Sequence, residues 1–159
     1  MSHDGLFQLG MGTDLLNAAQ TEEFDSASAS VADESRLDFF IEKDGKVCAG
    51  AHLIIDLFDA DRLDDIAHIE KALTDCVEAA GATLLHIHLH PFEPNGGVSG
   101  VAVLAESHIS IHSWPERGYA ALDVFMCGDA KPERCVDVLN EAFRPARIEV
   151  NELLRGAGA

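Results

Sequence analysis

The run Glu106-Ser107-His108-Ile109-Ser110-Ile111-His112-Ser113-Trp114-Pro115-Glu116-Arg117-Gly118-Tyr119-Ala120-Ala121-Leu122-Asp123-Val124-Phe125-Met126-Cys127-Gly128 decides the fold of this chain. Two segments rich in β-branched and aromatic residues flank Trp114-Pro115-Glu116-Arg117-Gly118. That connection is far too short for a crossover, so the strands must pair antiparallel. If the hairpin centres on Arg117, Ser107 stands directly opposite Cys127, with Cβ atoms ~5 Å apart. Alternation puts His108, Ser110 and His112 on one face and Ser107 on the other. Five extended residues span ~17 Å, so His112 reaches Ser107 only if this strand bends.

Outward from the hairpin, the apolar pattern switches between periods of two and 3.6 residues. His52-Leu53-Ile54-Ile55-Asp56-Leu57-Phe58 reads as a strand. Leu63, Ile66, Ile69, Leu73, Cys76, Val77 and Ala80 form one helical stripe, with Asp59 or Asp61 as the cap and Gly81 as the stop. Residues 83–90 and 98–104 are extended on either side of a turn at 91–97. Asp129 and Pro132 open a second helix, apolar at Val136, Leu139, Ala142 and Phe143, and residues 147–153 form the last strand. The order β-α-β-β-β-β-α-β predicts an α+β fold, a two-layer sandwich of a mainly antiparallel sheet with two amphipathic helices on one face. The other face is apolar enough that a second protomer is expected to cover it, giving a dimer.

The 159 residues, 47% of them hydrophobic, suit one globular domain. Residues 1–46 differ: Thr21-Glu22-Glu23-Phe24-Asp25-Ser26-Ala27-Ser28-Ala29-Ser30 is acidic and small, and reads as a flexible leader. Leu37-Asp38-Phe39-Phe40-Ile41 could be a short strand or a docking segment, and residues 47–159 are the expected domain. A net charge of −17 argues against nucleic acid, whose phosphates need clustered Lys and Arg, and is compatible with a cationic substrate. No apolar run approaches the ~20 residues of a membrane helix, and Met1-Ser2-His3-Asp4 lacks the basic flank and apolar stretch of a signal peptide, so no membrane partner is expected. Cys48, Cys76, Cys127 and Cys135 form no CxxC pair, which fits reduced thiols in the cytoplasm.

Ser107 lacks the glycine-flanked sharp turn of a serine hydrolase. It can instead attack its own backbone. Its Oγ adds to the Glu106 carbonyl, and the peptide becomes an ester. Elimination of the Glu106 carboxylate leaves dehydroalanine, which hydrolyses to a pyruvoyl group and ammonia. A rival reading comes from His86, His88 and His90, which alternate on one strand face. Imidazoles at that spacing can converge on zinc in a small metal-binding β-rich protein, although half-buried strand histidines are also ordinary. Cys48, Cys76 and Cys135 read as structural.

Eight short matches in order carry a family resemblance: Gly50-Ala51-His52-Leu53, Gly81-Ala82-Thr83, His90-Pro91-Phe92, Gly97-Val98-Ser99-Gly100-Val101, Glu106-Ser107-His108, Ile111-His112-Ser113-Trp114-Pro115-Glu116, Gly118-Tyr119-Ala120-Ala121 and Phe125-Met126-Cys127-Gly128. Over about residues 47–155 the chain resembles the small bacterial and archaeal type of S-adenosylmethionine decarboxylase proenzyme. The resemblance implies self-cleavage between Glu106 and Ser107, into residues 1–106 and 107–159. The cofactor would be a pyruvoyl group made from Ser107, with no metal and no pyridoxal phosphate. By position His112 matches the proton acceptor of processing and Cys127 the proton donor of the catalytic cycle. Phe92 matches a residue that stacks on adenine, Ser99 a serine near the active site, and Glu116 a contact to the substrate's amino-acid portion.

The implied substrate, S-adenosylmethionine, would join the pyruvoyl carbonyl as a Schiff base and lose CO2 into that electron sink. Cys127 would then return a proton. The product implied by the resemblance would be the aminopropyl donor for spermidine synthesis. Ornithine and arginine are the alternative substrates, since some relatives decarboxylate them, and the family forms dimers of processed protomers. Ala51, Arg117 and Met126 stand where arginine, tyrosine and threonine are usual, and the loop 91–97 is one residue longer.

Overall fold

The computed structural model describes residues 39–159. Of the expected leader, residues 1–38 lie outside the described residues, as do Leu37 and Asp38 of the expected docking segment. Strand structure begins before residue 47. β1 (Ile41–Lys43) pairs antiparallel with β2 (Lys46–Cys48) around Asp44-Gly45, at φ +52° and +70°. Two consecutive positive φ values define the hairpin turn whose twist matches that of its strands, and Asp-Gly adopts it readily.

The main sheet has six strands: β3 (Gly50–Phe58), β4 (Leu84–Pro91), β5 (Val98–Leu104), β6 (Ser107–Trp114), β7 (Tyr119–Met126) and β8 (Arg147–Arg155). Their spatial order is β4-β5-β6-β7-β3-β8, and every neighbouring pair is antiparallel. α1 (Ile66–Ala80) follows β3 and α2 (Arg134–Phe143) precedes β8. Two helices and an antiparallel sheet make the expected α+β fold, in the expected order.

Asp65, rather than Asp59 or Asp61, caps α1 by accepting from the His68 N–H at 3.0 Å. The residues before it are committed elsewhere: Ala60 N–H donates to Gly118 O and Asp61 N–H to Phe143 O. Those two bonds hold 59–63 as a connection, and Leu63 enters the core ahead of the helix. α1 ends at Gly81 in the left-handed region, as its position suggested. His68 joins the helices, with Nε2 2.8 Å from Ala142 O and its ring edge-on to Phe143.

The core unites alternate strand residues with one stripe of each helix. Leu53, Ile55, Leu57, Ile109, Ile111, Leu122 and Val124 meet Ile69, Leu73, Leu139 and Phe143, all buried. Truncating one such leucine or isoleucine to alanine costs ~2–5 kcal/mol. The intervening residues of the same strands, among them His52, Ser110, His112, Asp123 and Phe125, therefore point to the second face of the sheet.

Two expectations about β6 need correction. The hairpin centres between Glu116 and Arg117, not on Arg117, with Trp114 opposite Tyr119 and His108 opposite Phe125. A single 3-10 turn, Pro115–Arg117, closed by Gly118 N–H to Pro115 O, sets this register. The ladder therefore ends at the pair His108–Phe125 and β7 at Met126, so Cys127 lies just beyond the strand. Nor does β6 bend. Its pairing with β5 runs unbroken from Ser99–His112 to Leu104–Ser107, so Ser107 and His112 lie at opposite ends of a regular strand, ~17 Å apart.

Candidate active site

The connection between β5 and β6 is the two-residue turn Ala105-Glu106, closed by the pair Leu104–Ser107. Glu106 has φ +61°, in the left-handed region that a non-glycine residue occupies at a cost of ~1–2 kcal/mol. The Glu106-Ser107 peptide thus leaves a tight turn under backbone strain. Across from it lies the end of β7. The Cys127 N–H donates to Ser107 Oγ at 3.3 Å, and the Cys127 thiol donates to the Glu106 carbonyl at 2.7 Å. Serine and cysteine are neighbours as expected, through the backbone of a turn rather than a direct strand pair. Burial pushes the Cys127 thiol above its ordinary range, and the nearby Glu106 carboxylate acts in the same direction. A thiol so placed stays protonated at neutral pH.

Beside this pair the second face carries an aromatic group that the sequence reading did not single out. His108 and Phe125 lie 5.7 Å apart between ring centroids, and His52 packs edge-on to both. His52 Nε2 is 3.1 Å from Asp123, which also accepts from Ser110 Oγ at 3.1 Å, while Arg155 reaches His52 Nδ1 at 3.2 Å. Strand alternation from His108 was the signal that could have found this row.

The remaining expected residues gather at the other end of the sheet. Ser99 Oγ and His112 Nδ1 are 2.7 Å apart across the β5–β6 pair. They line a cleft of about 280 Å³ with Phe92, Glu93, Asn95 and Trp114. Phe92 packs edge-on to His90 at 4.9 Å, and Trp114 stacks on Tyr119 at 5.3 Å. Glu116 lies behind the rim and accepts from Asn95 Nδ2 at 3.4 Å. The structure brings Phe92, Ser99 and His112 together, with Glu116 one side chain removed. It brings Glu106, Ser107 and Cys127 together as a second group. It does not join the two groups within one chain. Asn95 and Trp114 complete the cleft and were not singled out from sequence.

His86, His88 and His90 share the second face, opposite Val103, Val101 and Ser99. Among the described residues, no three histidine, cysteine or acidic side chains form a group able to hold a metal ion. All four cysteines are free; Cys48, Cys76 and Cys135 are buried, and the last two exchange weak contacts with each other's carbonyls. No helix among the described residues is long and apolar enough to cross a membrane.

Residues 51–156 match the family model of S-adenosylmethionine decarboxylase. The chain is 49% identical over 108 residues to an S-adenosylmethionine decarboxylase proenzyme of Thermomicrobium roseum, covering 67% of this chain and 93% of that one. It is 49% identical over 111 residues to the proenzyme of the same name from Methanococcus aeolicus, covering 68% and 94%. With that of Parasynechococcus marenigrum it shares 54% over 109 residues, covering 67% and 84%. A crystal structure of the adenosylmethionine decarboxylase from Aquifex aeolicus superposes with a TM-score of 0.62 at 37% identity, covering 67% of this chain and 90% of that one. The chain belongs to the S-adenosylmethionine decarboxylase family. The expectation of an adenosylmethionine decarboxylase agrees with the family match and with the names of these relatives.

Proposed function

We propose that this protein is a self-processing decarboxylase that acts on S-adenosylmethionine and supplies an aminopropyl donor for spermidine synthesis. The observation that carries the reading is the 2.7 Å contact of the Cys127 thiol with the carbonyl of Glu106, the residue just before Ser107. A donor at that oxygen stabilises the oxyanion that forms when Ser107 Oγ attacks the carbonyl carbon. The C–N bond breaks, the hydroxyl proton passes to the released amine, and left-handed strain at Glu106 is relieved. Loss of the Ser107 α-proton and of the Glu106 carboxylate, then hydrolysis with release of ammonia, leaves the pyruvoyl group. Ser107 fits as its precursor, since it begins a strand directly after a strained turn with a hydrogen-bond donor at its hydroxyl.

When formed, the pyruvoyl carbonyl supplies the electron sink for loss of CO2. Cys127, held protonated by burial, returns a proton to the substrate carbon. Phe92 and Trp114 at the cleft suit an adenine ring and a sulfonium through stacking and cation–π contacts, which favours S-adenosylmethionine over ornithine or arginine. Ser99 and His112, joined at 2.7 Å, form the proton-accepting pair of processing.

The separation of the two groups along β6 makes a dimer part of this reading. Val103, Trp114 and Leu153 are exposed large apolar residues on the second face. A two-fold partner seated there would bring one copy's Ser99–His112 pair to the other copy's Ser107 and complete two sites at once. We place the protein in the cytoplasm, consistent with its free thiols, and assign the residues ahead of the β1–β2 hairpin as a leader, the hairpin itself belonging with the decarboxylase domain. The deciding experiment is intact mass under denaturing conditions, together with CO2 release from S-adenosylmethionine, ornithine and arginine. Two fragments meeting at Ser107, the second blocked as pyruvoyl, and loss of cleavage and turnover in Ser107→Ala are expected. Persistent full-length chain in active protein would refute the reading.

A further inference from the structure

We propose that the β1–β2 hairpin, which precedes the residues matched by the family, is a strap that positions the Cys127 turn, with Lys43 as its positioning residue. The inference rests on the reading of Cys127 as proton donor. Gly128, the next residue after Cys127, donates its N–H to Phe39 O at 2.9 Å. Gly128 has φ +60°, and a Cβ there would lie 3.5 Å from the Phe39 ring, so the turn touches the segment that leads into β1. Further along the hairpin, Lys43 pairs with Glu152 on β8. Downstream, Ala49 N–H bonds to Arg155 O at 2.7 Å and returns the chain to the sheet. The strap is thus fastened to the catalytic turn near Phe39 and to the far edge strand through Lys43.

The turn needs such a fastening. Ile41 and Lys43 roof a cavity of about 230 Å³ whose other walls include Ala51, Met126, Ala130 and Pro132. Gly128 and Ala130 border that space on the side of the turn, while Met126 is anchored in the core. The Cys127 thiol meets the Glu106 carbonyl at 2.7 Å, and a shift of ~1 Å in a reacting group can cost up to ~100-fold in rate. The strap lies ahead of Ala51, where the family match begins.

The test uses the full chain with Lys43→Glu, Phe39→Ala/Lys43→Glu and the charge swap Lys43→Glu/Glu152→Lys. Lys43 and Glu152 are both partly exposed, so these changes spare the core. Alkylation of Cys127 by iodoacetamide is followed by peptide mass, the other three thiols being buried. Lys43→Glu is expected to alkylate ~3-fold faster and to lower kcat ~3-fold at unchanged KM, with a larger effect in the Phe39 double variant. The charge swap is expected to restore both readouts. Wild-type alkylation and kcat in Lys43→Glu and the double variant would overturn the proposal, as would a swap that restores neither. Retained turnover in Cys127→Ala would instead refute the proton-donor reading, while alkylation would still report whether the strap holds the turn.

Discussion

At one end of β6, Ser107 meets Cys127 through a backbone N–H and a thiol aimed at the preceding carbonyl. At the other end, Ser99 meets His112 side chain to side chain across a regular strand pair. The first arrangement needs an irregular backbone: a left-handed Glu106, a two-residue turn and a ladder that stops before Cys127. The second needs the reverse, an unbroken ladder that fixes two short side chains opposite each other. Bond cleavage draws on strain and exposed backbone donors, which regular strands lack. Proton acceptance draws on a preorganised hydrogen bond, which a regular strand pair supplies. Under the proposed function, the two kinds of chemistry therefore sit ~17 Å apart on one strand.

The largest effect is expected when the two ends of β6 are disabled on different copies. Ser107→Ala and His112→Ala are each expected to be inactive, the first with no cleavage and the second with cleavage slowed ~100-fold or more. Refolding the two together should restore cleavage of the His112→Ala chains, because a mixed dimer holds one intact Ser107 site served by the other copy's His112. If mass analysis finds no cleaved chain in the mixture, the halves do not meet across a dimer.

A smaller effect tests the turn end alone. Cys127→Ala should slow cleavage by no more than ~10-fold, because a thiol is a weak donor to the Glu106 carbonyl, while turnover falls ~100-fold or more. Its pH dependence has a definite sign. Because burial raises the thiol pKa, the protonated donor persists through neutral pH, and kcat should fall only above the ordinary cysteine range near ~8.5. An alkaline limb that begins below that range would exclude Cys127 as the donor. The smallest effect belongs to the cleft: Phe92→Ala should raise KM ~10-fold for S-adenosylmethionine and leave cleavage untouched, through loss of one aromatic contact. Slowed cleavage in that variant would mean that the two ends are not separable.

Much of the architecture was legible beforehand because it rests on local rules. The helical stripe from Ile69 to Ala80 and its stop at Gly81 follow from periodicity and a left-handed cap. β5 and β7 begin and end where the alternation does. The cap of α1 was not legible, since the nearby aspartates Asp59, Asp61 and Asp65 offer equal local chemistry. Bonds from Ala60 to Gly118 and from Asp61 to Phe143, remote in sequence, excluded the earlier two. The Asp44-Gly45 hairpin carried a plain turn signal that the acidic composition around it obscured.

By itself the sequence determined the residue chemistry: a Glu-Ser bond, a thiol near it across a hairpin, and histidines confined to alternate positions of their strands. Those follow from side-chain identity and from strand alternation, which act over a few residues. Tertiary structure alone decided the half-residue register that leaves Cys127 just beyond the strand, the left-handed conformation of Glu106, and the regularity of β6 that keeps His112 away from Ser107. Register depends on how a 3-10 turn closes and on pairing with β5 and β3 at once, and no single strand carries that information.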